Sequence, residues 1–166
     1  ATQSPGNPHY IRLRADHAAR GDLGLTNEGF RGMGIKKGMR YDFSVMVRQR
    51  DDGIKIFVGL TDSAGNPIGG ASLDPQRTGE AWQKVSVSFT ATATVPKAKM
   101  DVWLEGSGTI DLDMISLFPA DTWKGRPGGM RADMVQLLAD LHPGFIRFPG
   151  GCIVEGFDLA NRYQWK

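Results

Sequence analysis

The chain has 166 residues, with 20 Lys and Arg against 18 Asp and Glu and a formal net charge of +2. Interspersed, nearly balanced charge gives no footing for nucleic acid or an anionic membrane, and no apolar run reaches the ~18 residues of a bilayer span. One cysteine, Cys152, excludes an internal disulfide and any multi-cysteine metal site, while 22 glycines suit a turn-rich β domain better than a helical one.

Residues 1–10 are polar, carry two prolines and show no signal peptide. The compartment is therefore open, with an extracellular or periplasmic place slightly favoured over a cytoplasmic one. A first strand is predicted over residues 9–15. Tyr41, Phe43, Val45 and Val47 alternate with Asp42, Ser44, Met46 and Arg48, the period of a half-buried strand. Asp51, Asp52 and Gly53 make a turn, and Ile54, Ile56, Val58 and Leu60 follow on one face of a second strand, with Lys55, Phe57 and Gly59 on the other. These two segments predict a hairpin. After a turn at residues 63–67, strands are marked by Val85, Val87 and Phe89, by Met100, Val102 and Leu104, and by Ile110, Leu112 and Met114. Regular spacing with almost no helical period predicts a mainly β fold over residues 1–118: a jelly-roll, galactose-binding-like sandwich.

The pattern changes near Pro119. Residues 121–129 are a Gly-rich loop with Pro127. Met130, Met134, Leu137, Leu138 and Leu141 then recur at helical spacing, Pro143 and Gly144 stop the helix, and residues 145–148 predict a strand ending on Pro149, Gly150 and Gly151. Helix, short turn and apolar strand form one unit of a (β/α)8 barrel, which needs eight units and ~250 residues. Residues 119–166 are thus expected to be a linker and the first helix–strand unit of a barrel the chain does not complete. The apolar face of such a tail should be buried on the sandwich or on another copy of the chain, which would make a homodimer a product of truncation.

Two stretches carry a resemblance to a known family. One is Leu25-Thr26-Asn27-Glu28-Gly29-Phe30-Arg31-Gly32-Met33-Gly34, with Ile110-Asp111-Leu112-Asp113-Met114-Ile115-Ser116-Leu117-Phe118-Pro119. The other runs from Asp121-Thr122-Trp123-Lys124 through the helix to Arg147-Phe148-Pro149-Gly150-Gly151-Cys152. The chain resembles the family 51 glycoside hydrolases, the α-L-arabinofuranosidases, in the branch with a carbohydrate-binding-like sandwich. The resemblance implies retaining hydrolysis of terminal α-L-arabinofuranosyl groups of arabinan or arabinoxylan, with no cofactor required. It also implies two glutamates, an acid/base and a nucleophile, at the ends of later barrel strands. Neither is placed in this chain, which should be catalytically silent without the missing barrel. Two other classes stay open: a non-catalytic module that binds plant polysaccharide, and a structural domain that braces the barrel.

The candidate sites follow from side-chain parity and from the resemblance. Asp101, Trp103 and Glu105 share one strand face, opposite Met100, Val102 and Leu104, and Phe57 and Arg48 point outward by the same parity. Aromatic rings beside polar groups suit a sugar, and an outward Trp equally suits docking on the neighbouring domain. Asp111 and Asp113 face one way and are candidates for a structural calcium, although two carboxylates fall short of the six to eight oxygens calcium takes. Arg147 sits in an apolar strand, where it would orient an active-site carboxylate or form a core ion pair. The resemblance puts Cys152 at a turn bordering the sugar pocket, as pocket lining or as a small packed side chain. The Asn27-Glu28 pair, in the sandwich, and Glu155, ahead of the strands that carry the family's glutamates, are expected to be non-catalytic.

Overall fold

The computed structural model describes residues 9–51, 53–147, 158 and 160. Among them, eight strands occur in the order β1 (Ile11–Ala18), β2 (Gly24–Asn27), β3 (Met33–Ile35), β4 (Arg40–Gln49), β5 (Ile54–Thr61), β6 (Pro67–Leu73), β7 (Gln83–Thr90) and β8 (Val95–Pro119), followed by one α-helix, α1 (Ala132–Asp140). Period-two patterning becomes burial. Phe43, Val45 and Val47 of β4, Ile56, Val58 and Leu60 of β5, and Ala98, Val102, Leu104, Ile110 and Leu112 of β8 are all sealed into one apolar cluster. In β4 the residues between them stay half-buried on the outer face.

The long strand β8 organises the fold. One of its edges pairs in succession with β5, from Thr61↔Lys99 to Ile54↔Gly106, and then with β4, from Gln49↔Ile110 to Tyr41↔Pro119. Its other edge pairs with β3, β2 and β1. Beyond these, β6 adds to β5 and β7 adds to β4, and β6 and β7 come into contact, so the sheet nearly closes around the core. All pairings are antiparallel, as a jelly roll requires.

This arrangement corrects the predicted hairpin of residues 41–48 with 54–60. β4 and β5 do not pair with each other; they run one after the other along the same edge of β8. From the end of β4 at Gln49 to the start of β5 at Ile54 the chain passes a corner, from one half of the sandwich to the other. The strands predicted around residues 100–104 and 110–114 are likewise one strand, bent at the same corner. Three glycines there hold left-handed backbone: Gly53 (φ +110°), Gly106 (φ +109°) and Gly108 (φ +140°). A Cβ on Gly106 would collide with the Gly53 carbonyl oxygen, so the two passing chains can approach only as glycine.

The C-terminal region departs further from expectation. The helix begins at Ala132 rather than residue 130, because Arg131 is held in an extended bridge with Thr122. Asp133 in its first turn complements the helix dipole. Residues 145–147 are not in a strand, and the rest of the predicted strand lies outside the described residues. Nor does the helix bury its apolar residues on the sandwich. Met134, Leu137, Leu138 and Leu141 remain between 56% and 74% exposed, and Phe145 and Ile146 more so.

Candidate carbohydrate-binding groove

The register of β6, β5, β8 and β2 lays the outer face of one half-sandwich out in rows. In one row Ser72, Phe57, Trp103 and Gly24 stand side by side. In the next stand Gly70, Gly59, Asp101 and Thr26. Two glycines in the second row leave a trough across the strands, with the aromatic row as one wall and Thr61 and Pro67 on the other side. The resulting groove has a volume of about 910 Å³.

Trp103 dominates one wall. Its ring stacks on Phe57 with centroids 5.3 Å apart and planes 10° from parallel, and its Nε1 donates to Glu105 Oε1 at 3.0 Å. The indole tip leans over Gly59, where a Cβ would stand 3.1 Å from Cζ3. The Arg20 guanidinium lies over the same ring, 5.3 Å from its centroid. Asp101 is fixed by two hydroxyls: Thr26 Oγ1 donates to Oδ1 at 2.6 Å and Thr61 Oγ1 to Oδ2 at 3.0 Å. Each carboxylate oxygen keeps a free lone pair. The structure thus brings Asp101, Trp103, Glu105 and Phe57 together. It adds Arg20, Thr26 and Thr61, which sequence reasoning missed. Gly59 was the available signal, since glycine inside a strand marks a close approach; Arg20 lies in a loop and gave none.

Arg48 is the exception. It lies at the other half of β8, paired in register with Asp111, and takes no part in lining the groove. Its side chain, 12% exposed, donates through Nε and Nη2 to Asp111 Oδ2 at 2.8 and 2.7 Å. Arg12 grips the same carboxylate, Nε to Oδ1 at 2.7 Å and Nη2 to Oδ2 at 3.1 Å. The Arg48 guanidinium also lies over the Tyr10 and Trp82 rings, at 4.9 and 4.8 Å. Burial alone would push the Asp111 carboxyl up, but the hydrogen bonds and charges of the two arginines outweigh it and hold the group below its ordinary range. Arg48, in turn, is raised, chiefly by its hydrogen bond to Asp111.

The same contacts correct the calcium expectation at Asp111 and Asp113. Both oxygens of Asp111 face guanidinium groups, whose positive charge repels a cation, and Asp113 Oδ1 accepts from the backbone N–H of Met114 at 2.7 Å. One remaining carboxylate does not make a calcium site. Among the described residues no group of three or more His, Cys, Asp and Glu could hold a metal.

The remaining candidates lie elsewhere. Asn27 Oδ1 accepts the Gly29 N–H at 2.8 Å, and Glu28 pairs with Lys99 at 2.6 Å, both local ties within the sandwich. Arg147 is at the last residue of the described stretch and makes interactions of its own. Cys152 and Glu155 lie outside the described residues.

Comparison with known proteins extends this picture. The model of the family described as Alpha-L-arabinofuranosidase 1 domain matches residues 137–166. The chain is 39% identical over 152 residues to Alpha-L-arabinofuranosidase 1 of Arabidopsis thaliana, covering 88% of the chain and 21% of that protein. It is 35% identical over 172 residues to an extracellular exo-alpha-L-arabinofuranosidase of Streptomyces chartreusis, covering 96% of the chain and 19% of that protein. Among solved structures, arabinose-bound MgGH51 α-L-arabinofuranosidase superposes with a TM-score of 0.82 at 32% identity, over 98% of the chain and 27% of that protein. The chain therefore spans about a fifth to a quarter of the length of the relatives it matches. The likeness runs through the sandwich and on into the helical segment, so the chain is similar to a segment of the family 51 α-L-arabinofuranosidases.

Proposed function

We propose that the whole protein is a retaining α-L-arabinofuranosidase that removes terminal non-reducing α-L-arabinofuranosyl residues from arabinan or arabinoxylan. In this reading, residues 1–118 are a non-catalytic sandwich and residues 119–166 open the catalytic domain. The observation that carries it is the 0.82 TM-score over 98% of the chain to an arabinose-bound family 51 enzyme, with 32% identity.

Chemistry agrees with a division of labour. Retaining hydrolysis takes two carboxyl groups ~5 Å apart across the scissile bond, one attacking the anomeric carbon and one protonating the leaving oxygen. The acids of the groove are committed otherwise: Asp101 to two threonines, Glu105 to Trp103, and Asp22 to the Ala19 N–H. The catalytic pair is therefore assigned to the catalytic domain beyond this segment, where no cofactor is needed. The exposed apolar face of α1 is read as the surface that meets the rest of that domain. An extracellular place follows the Streptomyces relative, which is named as extracellular.

The test is hydrolysis of an aryl α-L-arabinofuranoside by the whole protein and by this chain alone. The whole protein is expected to turn over and the chain to stay at background. Turnover by the chain, lost in Glu155→Gln, would overturn the assignment.

A further inference from the structure

We propose that the groove between the aromatic row and Thr61 binds the backbone of a neutral polysaccharide, lying across the strands of the sandwich. The kind of chain, one bearing arabinofuranosyl groups, rests on the arabinofuranosidase reading; binding by the groove does not.

The shape argues for a polymer. Four strands, β6, β5, β8 and β2, underlie the trough, and at ~4.8 Å between neighbours they give it a length of ~14 Å. That suits several sugar units rather than one terminal residue. The volume of about 910 Å³ lies at the upper end of the ordinary range for ligand sites.

The chemistry argues for a sugar. Ring faces of sugars carry C–H groups that pack on aromatic surface, and here Phe57 and Trp103 present a stacked pair at the wall. The glycine at residue 59 lets the indole lean across β5. Next to it Asp101 is oriented by Thr26 and Thr61, with one acceptor site left on each oxygen for a sugar hydroxyl. A carboxylate held by two hydroxyls is prepared for its ligand, so little ordering entropy is lost on binding.

The charge selects among sugars. The charged residues lining the groove are Arg20 against Asp22, Asp101 and Glu105, one positive and three negative. A polyuronate would bring further negative charge to a site with a net charge of −2, and like charges facing one another are disfavoured. Neutral xylan- or arabinan-type chains meet no such penalty.

The experiment is calorimetric titration of this chain with arabinosylated xylo-oligosaccharides, arabino-oligosaccharides, cello-oligosaccharides and oligogalacturonate. Trp103→Ala, Asp101→Asn and Trp103→Phe are run alongside, each checked for an unchanged melting curve. Saturable binding of a neutral oligosaccharide is expected, weakened at least ~10-fold by Trp103→Ala and Asp101→Asn and largely kept by Trp103→Phe. Oligogalacturonate is expected not to bind. No saturable binding by the folded chain up to about 10 mM, or equal affinity in Trp103→Ala, overturns the proposal; so does preference for oligogalacturonate. Binding confined to cello-oligosaccharides would leave the groove standing and count against the arabinofuranosidase reading. The hydrolysis assay of the whole protein tests that reading separately.

Discussion

Along β4 and β5 the apolar residues recur every second position and are sealed almost completely, down to 0% exposure at Phe43, Ile56, Val58 and Leu60. Along α1 the apolar residues recur just as regularly at helical spacing, and Leu137 keeps 69% of its surface in solvent. The difference lies in the neighbours. Each of these two strands has an edge paired with β8 and its apolar side turned to the core, whereas α1 touches the turn at Trp123–Gly125 and little else among the described residues. Periodicity tells which side of an element is built to be covered, and topology decides whether a cover is present.

The sharpest way to test that contrast is to disturb the sandwich where it is least tolerant. Asp111 neutralises Arg48, whose side chain is only 12% exposed. In Asp111→Ala that buried guanidinium loses its counter-charge, and a loss of about 3–5 kcal/mol in urea unfolding is expected. Arg12 is nearly half exposed, so solvent screening leaves its share of the cluster small. The pH dependence has a definite sign. The folded carboxyl lies below its ordinary range, so its contribution is complete above the unfolded value and fades as pH falls through the folded one. The melting temperature should therefore drop below about pH 4, and Asp111→Asn should flatten that limb. An unchanged acid limb in Asp111→Asn would remove the carboxylate from the account.

A smaller effect is expected at the corner. Gly106→Ala adds a Cβ against the Gly53 carbonyl at φ +109°, and a loss of about 1–3 kcal/mol is expected. Gly125→Ala, in the C-terminal region, also asks a non-glycine residue to hold positive φ, but with open space around it. It should leave the unfolding midpoint of the sandwich unchanged. If both substitutions cost the same, the corner is not the strained point of the fold.

These two sites also show what was legible in the sequence. Strand positions at Tyr41–Val47 and Ile54–Leu60 follow from alternation, because the local period of burial is written locally. The relation of β4 to β5 does not, since it depends on where β8 bends, some fifty residues later. The groove was half legible: Trp103, Asp101 and Glu105 share a parity, and Phe57 meets Trp103 only through register. Arg48 shares that parity too, yet it belongs to a different cluster because β4 lies along the other half of β8. The role of Asp111 is hidden for a similar reason. Its partner Arg12 lies 99 residues away, and parity gives no sign that two guanidiniums converge there.

The smallest effect is expected where the apolar pattern is clearest. Leu137→Ser together with Leu138→Ser removes two large apolar side chains from α1. In a buried helix such changes would cost several kcal/mol through lost transfer energy and cavities. Here both side chains lie more than half in water, so the sandwich transition should move by less than about 0.5 kcal/mol. Leu104→Ala, at 0% exposure in β8, is the matched control and should cost about 2–5 kcal/mol. If the apolar face of α1 meets a catalytic domain, as proposed above, the same pair of serines should become costly in the whole protein. A large loss in this chain alone would mean that α1 is already covered in solution, by the sandwich or by a second copy. Sedimentation at two concentrations separates those cases, since only the second depends on concentration.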